Sequence, residues 1–265
     1  METKLNYKRT FLIGLAFLSI CSFWQMYDNI IPLILQNTYH LGETMTGAVM
    51  ALDNVLAIFL LPVFGTLSDK VHTKLGRRMP FIVVGTILAV IFMMMLPMID
   101  NAEKARWATG GSFSNQVFFL GVLFLTLVSM GLYRSPAVAL MPDVTPNHLR
   151  SRANAVINLM GAVGGVYALI MIKVLVGKGE TPDYLPLFAS IAAVMAIAVG
   201  ILVITIRENK LREEVEKAEA ANADTIEEKA MAEGVEAAGE IEAVGDTGEA
   251  KAFEEKQQTA KTESA

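Results

Sequence analysis

The sequence predicts an all-α membrane protein with six transmembrane helices and an acidic tail. Hydrophobic residues make up 53% of the 265-residue chain and charged residues only 18%, which is less charge than a soluble domain of this length normally carries. The apolar residues form six long blocks, and basic residues concentrate in alternate loops between them. Lipid is therefore the expected solvent for most of the chain.

The six blocks satisfy the requirements of membrane-spanning helices. Each is near or above the twenty or so residues that cross about 30 Å of hydrocarbon. Each is continuously apolar rather than alternating, and lipid gives exposed backbone groups no hydrogen-bond partner, so helices are favoured over strands. The first block has a basic flank like that of a signal peptide, but it continues to about Leu35 without a cleavage pattern, so we expect an uncleaved helix. The predicted spans cover residues 10–36, 45–67, 80–99, 116–141, 153–176 and 184–206.

The loops predict the orientation of these spans. The loops on one side contain mainly Lys104, Arg106 and Lys178. The chain ends and the loops on the other side contain Lys4, Lys8, Arg9, Lys70, Lys74, Arg77, Arg78, Arg150, Arg152, Arg207, Lys210 and Arg212. Because basic residues are retained in the cytoplasm, we expect both termini to be cytoplasmic, in a bacterial inner (plasma) membrane.

Composition separates a transmembrane domain at 1–207 from a tail or linker at 208–265. The tail is rich in Glu, Ala, Lys and Gly, with Phe253 as its only aromatic residue, and it cannot bury a core. Charges at helical spacing from Glu208 to about Ala220 predict an extension of the sixth helix, followed by disorder. The tail accounts for most of the net charge of −5, and nucleic acid is not an expected partner. Either a solvated linker or a binding segment fits this composition.

The most specific motif lies between the second and third spans. It begins Gly65-Thr-Leu-Ser-Asp69-Lys70 and, after five further residues, continues Gly76-Arg77-Arg78-Met-Pro80. This motif resembles the signature of the major facilitator superfamily, and its long spacing is similar to that of the glycoside-pentoside-hexuronide symporters and the sucrose-transporter-like group. The resemblance implies a cytoplasmic gating motif, in which the glycine permits close helix packing and the basic residues pair with acids of adjacent helices. A plain basic loop with a glycine turn is the alternative.

A second segment resembles the same sucrose-transporter-like group. It runs from Tyr133-Arg-Ser-Pro136 to Asp143 and continues with Arg150-Ser-Arg-Ala-Asn154. By position, Asp143 is expected to pair with Arg77 or Arg78 and to hold one conformation closed.

The resemblance implies a half bundle made of two inverted three-helix repeats. Major facilitator proteins have two such halves with the substrate between them. This chain supplies one half, so we expect either a fragment or split product, or a chain that pairs with a second six-helix chain or with itself. We favour a fragment of a longer transporter.

Ionisable residues inside the spans are the candidate functional groups, because charge in the membrane is costly. Asp53 lies about 13 Å into the second span at 1.5 Å per residue, and Arg134 lies at a comparable depth in the fourth. Asp53 is expected to carry a proton or to contact substrate, and Arg134 to pair with Asp53 or to bind substrate. A static ion pair between the two is the alternative.

The first span offers a second group of candidates in Trp24, Gln25 and Asp28. Aromatic rings and polar groups suit a sugar, whose hydroxyls need hydrogen-bond partners and whose apolar face needs a ring. Asp28 can contact substrate, form an ion pair needed only for folding, or face the interface. In the fifth span, Asn158 either faces a cavity or makes packing hydrogen bonds, beside a predicted packing face at Gly161, Gly164 and Gly165.

The second span lacks acids at two positions that would matter for a sodium-coupled transporter. Sodium-coupled melibiose-type permeases carry two acids at the positions that match Ala57 and Leu61 here, so that sodium site is in doubt. Asp53 lies on the same helical stripe as these residues and is the more economical candidate for proton coupling.

The sequence therefore predicts a secondary transporter that moves a sugar or glycoside, sucrose-like or maltose-like, with a proton. The alternative is a non-transporting six-helix membrane protein or an inactive fragment. The sequence contains no spacing typical of a metal site, nucleophile elbow or phosphate loop, so we expect neither an enzyme nor a cofactor.

Overall fold

The structure is a computed structural model that describes residues 6–71, 73–109, 115–177, 179, 182–217 and 219–220. The helices in chain order are α1 (Tyr7–Asn37), α2 (Glu43–Met50), α3 (Leu52–Lys70), α4 (Met79–Ala108), α5 (Gln116–Asp143), α6 (Arg150–Leu175) and α7 (Leu185–Thr205). A short 3₁₀ turn, Asn147–Leu149, precedes α6, and α2 and α3 together form one span. Six spans in the described residues are long and apolar enough to cross a membrane, which confirms the predicted all-α membrane fold.

The chain divides into two compact units, Met1–Val215 and Glu216–Ala265. The first contains all the helices named above. In the second, the structure describes only Glu216, Lys217, Glu219 and Ala220. The predicted disordered part of the acidic tail lies outside the described residues.

The packing of the six spans follows a two-fold pattern. The helix α1 packs mainly against α6 and α7, α5 packs against α3 and α4, and α4 packs against α7. If the first three spans are exchanged for the last three, α1 takes the place of α5, the α2–α3 span that of α6, and α4 that of α7. The contact of α1 with α6 then becomes the contact of α5 with α3, and the contact of α1 with α7 becomes that of α5 with α4. The contact of α4 with α7 is unchanged. This is the arrangement expected of two three-helix repeats related by a pseudo-two-fold axis.

The core lies between α1, α4, α5 and α7, and large side chains fill it. Since lipid tails are as apolar as these side chains, close packing and hydrogen bonds between helices matter more than hydrophobic transfer. The Tyr133 hydroxyl of α5 lies 2.6 Å from Ser19 Oγ of α1 and donates to Ala16 O at 3.1 Å. The largest fully buried side chains include Phe23, Tyr27, Phe119, Tyr133 and Phe188.

The contact between α1 and α6 depends on small residues. A Cβ added at Gly164 would lie 2.1 Å from Leu18 O, so only glycine allows this approach. The Ser22 hydroxyl also donates to Gly164 O at 2.9 Å. The predicted glycine packing face on the fifth span is therefore present at Gly164.

The helix α4 is longer than the predicted 80–99 span, because the charged residues that follow Ile99 are satisfied inside the helix bundle. The fully buried Asp100 accepts from Thr38 Oγ1 at 2.6 Å and pairs with Lys104 Nζ at 2.6 Å. Lys104 also donates to Pro182 O at 2.6 Å and lies 4.6 Å from the centre of the Tyr184 ring. The polar residues therefore continue the helix to Ala108 instead of ending it.

The second span is interrupted at Ala51, between α2 and α3. Asp53 Oδ1 accepts from the backbone N–H of Asn54 at 2.7 Å and from its side-chain amide at 2.9 Å. Asp and Asn side chains compete in this way with the helical hydrogen bonds of the backbone. Asp53 therefore lies in the first turn of α3 rather than in the middle of a continuous helix.

Candidate functional site

A small cleft near the middle of the bundle contains three of the predicted site residues. Trp24 of α1, Asp53 of α3 and Arg134 of α5 line it, together with apolar side chains. Its volume is about 20 Å³, which is room for about one water molecule. We call it the central cleft.

The expected ion pair between Asp53 and Arg134 is not formed within the described residues, and that prediction is wrong for this conformation. The Asp53 carboxylate is engaged by Asn54, and the guanidinium of Arg134 lies 5.5 Å from the centre of the Trp24 ring. The face of an aromatic ring attracts a cation. Arg134 therefore interacts with the ring of Trp24 instead of the carboxylate of Asp53 that the sequence predicted as its partner. The two charged groups line one cleft without contacting each other.

Two aromatic side chains of α1 carry polar atoms without a hydrogen-bond partner. Trp24 Nε1 and the Tyr27 hydroxyl are both buried and unpaired among the described residues. The rings of Phe23, Trp24 and Tyr27 form a packed aromatic group, with Trp24 and Tyr27 edge to face at 5.4 Å. Buried donors of this kind normally find a partner, so this face of α1 can accept a polar ligand.

The remaining candidates do not line the central cleft. The side chain of Gln25 faces α6, where its Oε1 would lie 3.7 Å from a Cβ built at Gly165. Asp28 is exposed on α1, and Asn158 is exposed on α6. The structure therefore brings Trp24, Asp53 and Arg134 together in one cleft, whose lining does not include the other three.

A charge cluster lies at the end of the bundle where α3 ends and α4 begins, which we call the basic end. Arg78, with only 7% of its side chain exposed, lies at its centre. Its Nη2 lies 2.6 Å from Asp69 Oδ1, and its Nε lies 3.0 Å from Asp143 Oδ2. It also donates through Nη1 to Gly65 O at 3.2 Å and to Ser68 Oγ. One guanidinium thus joins the end of α3 to the end of α5.

Asp143 holds both arginines of the motif. Arg77 Nη2 lies 3.1 Å from the same Oδ2 atom that Arg78 contacts. The pairing that the sequence predicted for Asp143 is present with both Arg77 and Arg78. Lys70, another basic residue of the motif, is exposed at the end of α3.

A third acid, Glu208, joins the cluster from the segment after α7. It is 1% exposed, and its carboxylate accepts the backbone N–H groups of Arg77, Arg78 and Met79 at 2.8 to 3.1 Å. These N–H groups belong to the start of α4, where a helix has free donors and a partial positive charge. Glu208 therefore acts as the cap of α4, from a position about 130 residues later in the chain.

Gly76 makes room for this cap. Its φ of +126° is a conformation that side chains rarely adopt, and a Cβ there would lie 2.1 Å from Glu208 Oε2. The glycine of the motif thus serves both a backbone conformation and the entry of the carboxylate.

The arrangement agrees with the comparison to known sequences, in which the profile of the Major Facilitator Superfamily matches residues 5–246. This chain belongs to the major facilitator superfamily. Its six spans form one integral-membrane half bundle of that family, as the sequence predicted.

Curated relatives of this major facilitator chain include plant proteins named for sucrose transport. Sucrose transport protein SUT3 of Oryza sativa subsp. japonica is 26% identical over 137 residues, which are 49% of this chain and 27% of that protein. Sucrose transport protein SUC4 of Arabidopsis thaliana is 36% identical over 117 residues, which are 41% of this chain and 22% of that protein. Sucrose transport protein SUC3 of Arabidopsis thaliana is 26% identical over 137 residues, which are 49% of this chain and 23% of that protein. The match spans about a quarter of the length of each relative.

Glu208 is the residue of this major facilitator bundle that sequence reasoning missed. The sequence predicted that α7 continues through it, but the chain leaves the helix at Ile206, in an extended conformation, and becomes helical again at residue 208. The helical segment then packs Leu211 and Val215 against the bundle. A signal was available, because Glu208, Leu211 and Val215 are spaced to share one face of a helix.

Proposed function

We propose that this chain is one six-helix half of a secondary transporter that moves a sugar or glycoside together with a proton. The central cleft is the observation that supports this best. It places a carboxylate, a guanidinium and an aromatic ring together between three spans, in the part of the membrane where charge is costly unless it serves function.

The chemistry of the cleft suits a polyhydroxylated substrate. Trp24 offers a ring for the apolar face of a sugar, and its unpaired Nε1 can hydrogen bond to a sugar hydroxyl. The unpaired hydroxyl of Tyr27, which lies beside Trp24 but does not line the cleft, is a further donor. Arg134 adds several donors in a rigid fork. The names of the plant relatives support the same substrate class. We extend substrate contact to Gln25, Asp28 and Asn158, which would join the site once a second six-helix unit completes the substrate path.

Proton coupling is assigned to Asp53. Asp53, Ala57 and Leu61 all line the central cleft. A sodium site of the melibiose-permease type would have acids at positions 57 and 61, whereas Asp53 is the only carboxylate of these three residues. Cations such as sodium need several oxygen ligands, whereas a single carboxylate is enough to bind and release a proton. Arg134 and Asn54 can then stabilise the charged form of Asp53 after release.

The proposal includes a second six-helix unit, in the same polypeptide or in another. No residue in the most apolar stretch of the Glu43–Lys70 span is buried, and only 28% of the corresponding stretch of Asn147–Leu175 is buried. The exposed polar residues Asp28, Asn154 and Asn158 would be costly against lipid. A second unit that covers these faces would bury the apolar surface and enlarge the central cleft to the size of a sugar.

The charge cluster at the basic end is proposed as a latch for alternating access. Asp69, Arg77, Arg78 and Asp143 hold the ends of α3, α4 and α5 together, and release of these pairs would let the end open. We place this end and both termini in the cytoplasm of a bacterial cell, since basic residues concentrate there. The protein is then a carrier rather than an enzyme, and it needs no cofactor.

Uptake into membrane vesicles tests this function. Vesicles that contain the protein and the six-helix unit that completes it are expected to accumulate labelled sucrose or maltose when an inward proton gradient is imposed, and vesicles without the protein are not. The variant Asp53→Asn should lose the dependence on the gradient, because the amide cannot exchange a proton. The matched control is Asp183→Asn, which removes an exposed carboxylate in the loop before α7.

Two results would contradict the proposal. Equal uptake with and without the protein, in vesicles that also contain the six-helix unit that completes it, would contradict transport. Full gradient-dependent uptake in Asp53→Asn would remove the assignment of the proton to this residue.

A further inference from the structure

A larger cleft opens at the basic end between the start of α1 and the end of α7. Its volume is about 320 Å³, at the lower end of the range for ligand sites. Lys8 and Arg9 line it from the amino-terminal side, and Arg207 and Lys210 line it from the segment that follows α7. Residues from opposite ends of the first unit therefore form one basic cleft.

The positive charge of this cleft is only partly balanced. Its one acid is Glu214, which pairs with Arg9 at 3.1 Å and is itself 62% exposed. The side chains of Lys8, Arg207 and Lys210 have no ion-pair or hydrogen-bond partner among the described residues. Like charges collected in one cleft repel each other, and an anion bound among them would remove part of that repulsion.

The wall of the cleft is apolar on the side of the bundle. Leu12 of α1 contributes to it, as do Ile206 and Leu211 beside the end of α7. A ligand that fits must therefore be anionic at one end and apolar at the other. The position at the ends of two packed spans places the charged rim at the depth of the lipid headgroups.

We propose that this cleft binds the headgroup of an anionic phospholipid. The lipid phosphate lies among Arg9, Arg207 and Lys210, and its acyl chains continue along the surface of α1 and α7. A basic recess between spans is a recognised form of lipid headgroup site, and the apolar wall favours a lipid over a free phosphate ion. The site is separate from the central cleft and does not depend on transport.

The test measures the thermal unfolding of the purified full chain in a neutral detergent. Short-chain phosphatidylglycerol should raise the unfolding temperature with increasing concentration, since a ligand that binds only the folded state stabilises it. Phosphatidylcholine of the same chain length and inorganic phosphate are the comparison ligands. The double variant Arg207→Gln/Lys210→Gln should weaken binding of phosphatidylglycerol about 30-fold, which corresponds to about 2 kcal/mol.

A matched control separates this site from general attraction to basic protein. Lys74→Gln removes an exposed charge from the same end of the bundle, outside the cleft, whereas Lys210→Gln removes one inside it. Only Lys210→Gln should weaken the binding of phosphatidylglycerol. If the double variant does not fold, the single variants Lys210→Gln and Lys74→Gln carry the comparison, and 0.5 M salt should also weaken binding to the unmodified protein, because ions screen an exposed anion site.

Four results would overturn the proposal. Equal stabilisation by phosphatidylcholine would show that the cleft does not distinguish the charge of the headgroup. Equal stabilisation by inorganic phosphate would show that the cleft binds an anion and has no preference for a lipid. Equal loss in Lys74→Gln and Lys210→Gln would show that the net charge of the basic end, rather than the cleft, attracts the lipid. No response to phosphatidylglycerol, as when another segment of the chain occupies the cleft, would also overturn it.

Discussion

Replacing Glu208 with alanine should destabilise the bundle by about 3 kcal/mol. The carboxylate accepts three backbone N–H groups at the start of α4, of which those of Arg78 and Met79 are buried. A buried donor that loses its partner costs about 1–3 kcal/mol, and the less buried donor of Arg77 can turn to water. Two stranded donors at about 1.5 kcal/mol each give the expected value.

The glutamine variant is the finer perturbation. Glu208→Gln keeps one acceptor oxygen and the shape of the side chain, but its amide group faces backbone donors and it has no charge to place at the helix start. We expect a loss of about 1–2 kcal/mol, intermediate between wild type and alanine. Glu213→Ala is the matched control, because Glu213 is exposed in the same helical segment and surface substitutions usually change stability by less than about 0.5 kcal/mol.

Thermal unfolding in detergent measures both variants. For a unit of this size, about 3 kcal/mol corresponds to a decrease of about 6–12 °C in the unfolding temperature. Amide hydrogen exchange locates the effect, and Arg78 and Met79 should exchange faster in Glu208→Ala than in Glu213→Ala. Equal unfolding temperatures for these two variants would show that the cap contributes nothing, and the reasoning would fail.

Two further changes test the two ends of the bundle. Asp143→Asn leaves Arg77 and Arg78 without their shared carboxylate, so we expect a loss of about 3 kcal/mol in thermal unfolding; a variant as stable as wild type would contradict the importance of the pairs. At the opposite end, hydrogen bonds from Asn101 and from the Leu185 backbone lower the pKa of Asp183. Its contribution is therefore complete above the unfolded pKa of about 3.9 and is lost as the pH falls through the lower folded pKa. The difference in unfolding temperature between wild type and Asp183→Asn should be constant from about pH 5 to 7 and should shrink below about pH 4; a constant difference at all pH values would contradict the assignment.

Hydrophobic pattern was enough to predict the spans. A continuous apolar block long enough to cross a membrane is almost always a helix in lipid, so the helices and their number could be predicted from the sequence. The glycines of the fifth span predicted the close helix packing found at Gly164. The motif around Arg77 and Arg78 also identified Asp143 as their partner, because charged residues at adjacent helix ends have few alternatives in a short turn.

Contacts between polar groups were harder to predict. Periodicity placed Asp53 and Arg134 at similar depths but did not show that Asn54 would engage the carboxylate or that Trp24 would lie beside the guanidinium. The predicted end of the third span was also wrong, because a charged residue such as Asp100 usually marks the end of an apolar span. Here Thr38 and Lys104 bind the Asp100 carboxylate, and the helix continues. These choices depend on side chains from other helices, which no local pattern contains.

Glu208 was missed for a related reason. Its neighbours are charged, and a sequence window centred on it indicates a solvated helix rather than a buried cap. The partner donors lie about 130 residues earlier, and they become available only because Gly76 leaves space.

The contact of Glu208 with the start of α4 has a mechanical consequence. A buried side chain with three backbone donors couples the segment after α7 to the turn before α4, so displacement of either one displaces the other. Any rocking of α4 would be transmitted to the helical segment that begins at Glu208, and a spin label on exposed Glu213 would sense it as a change in distance to a second label on α6.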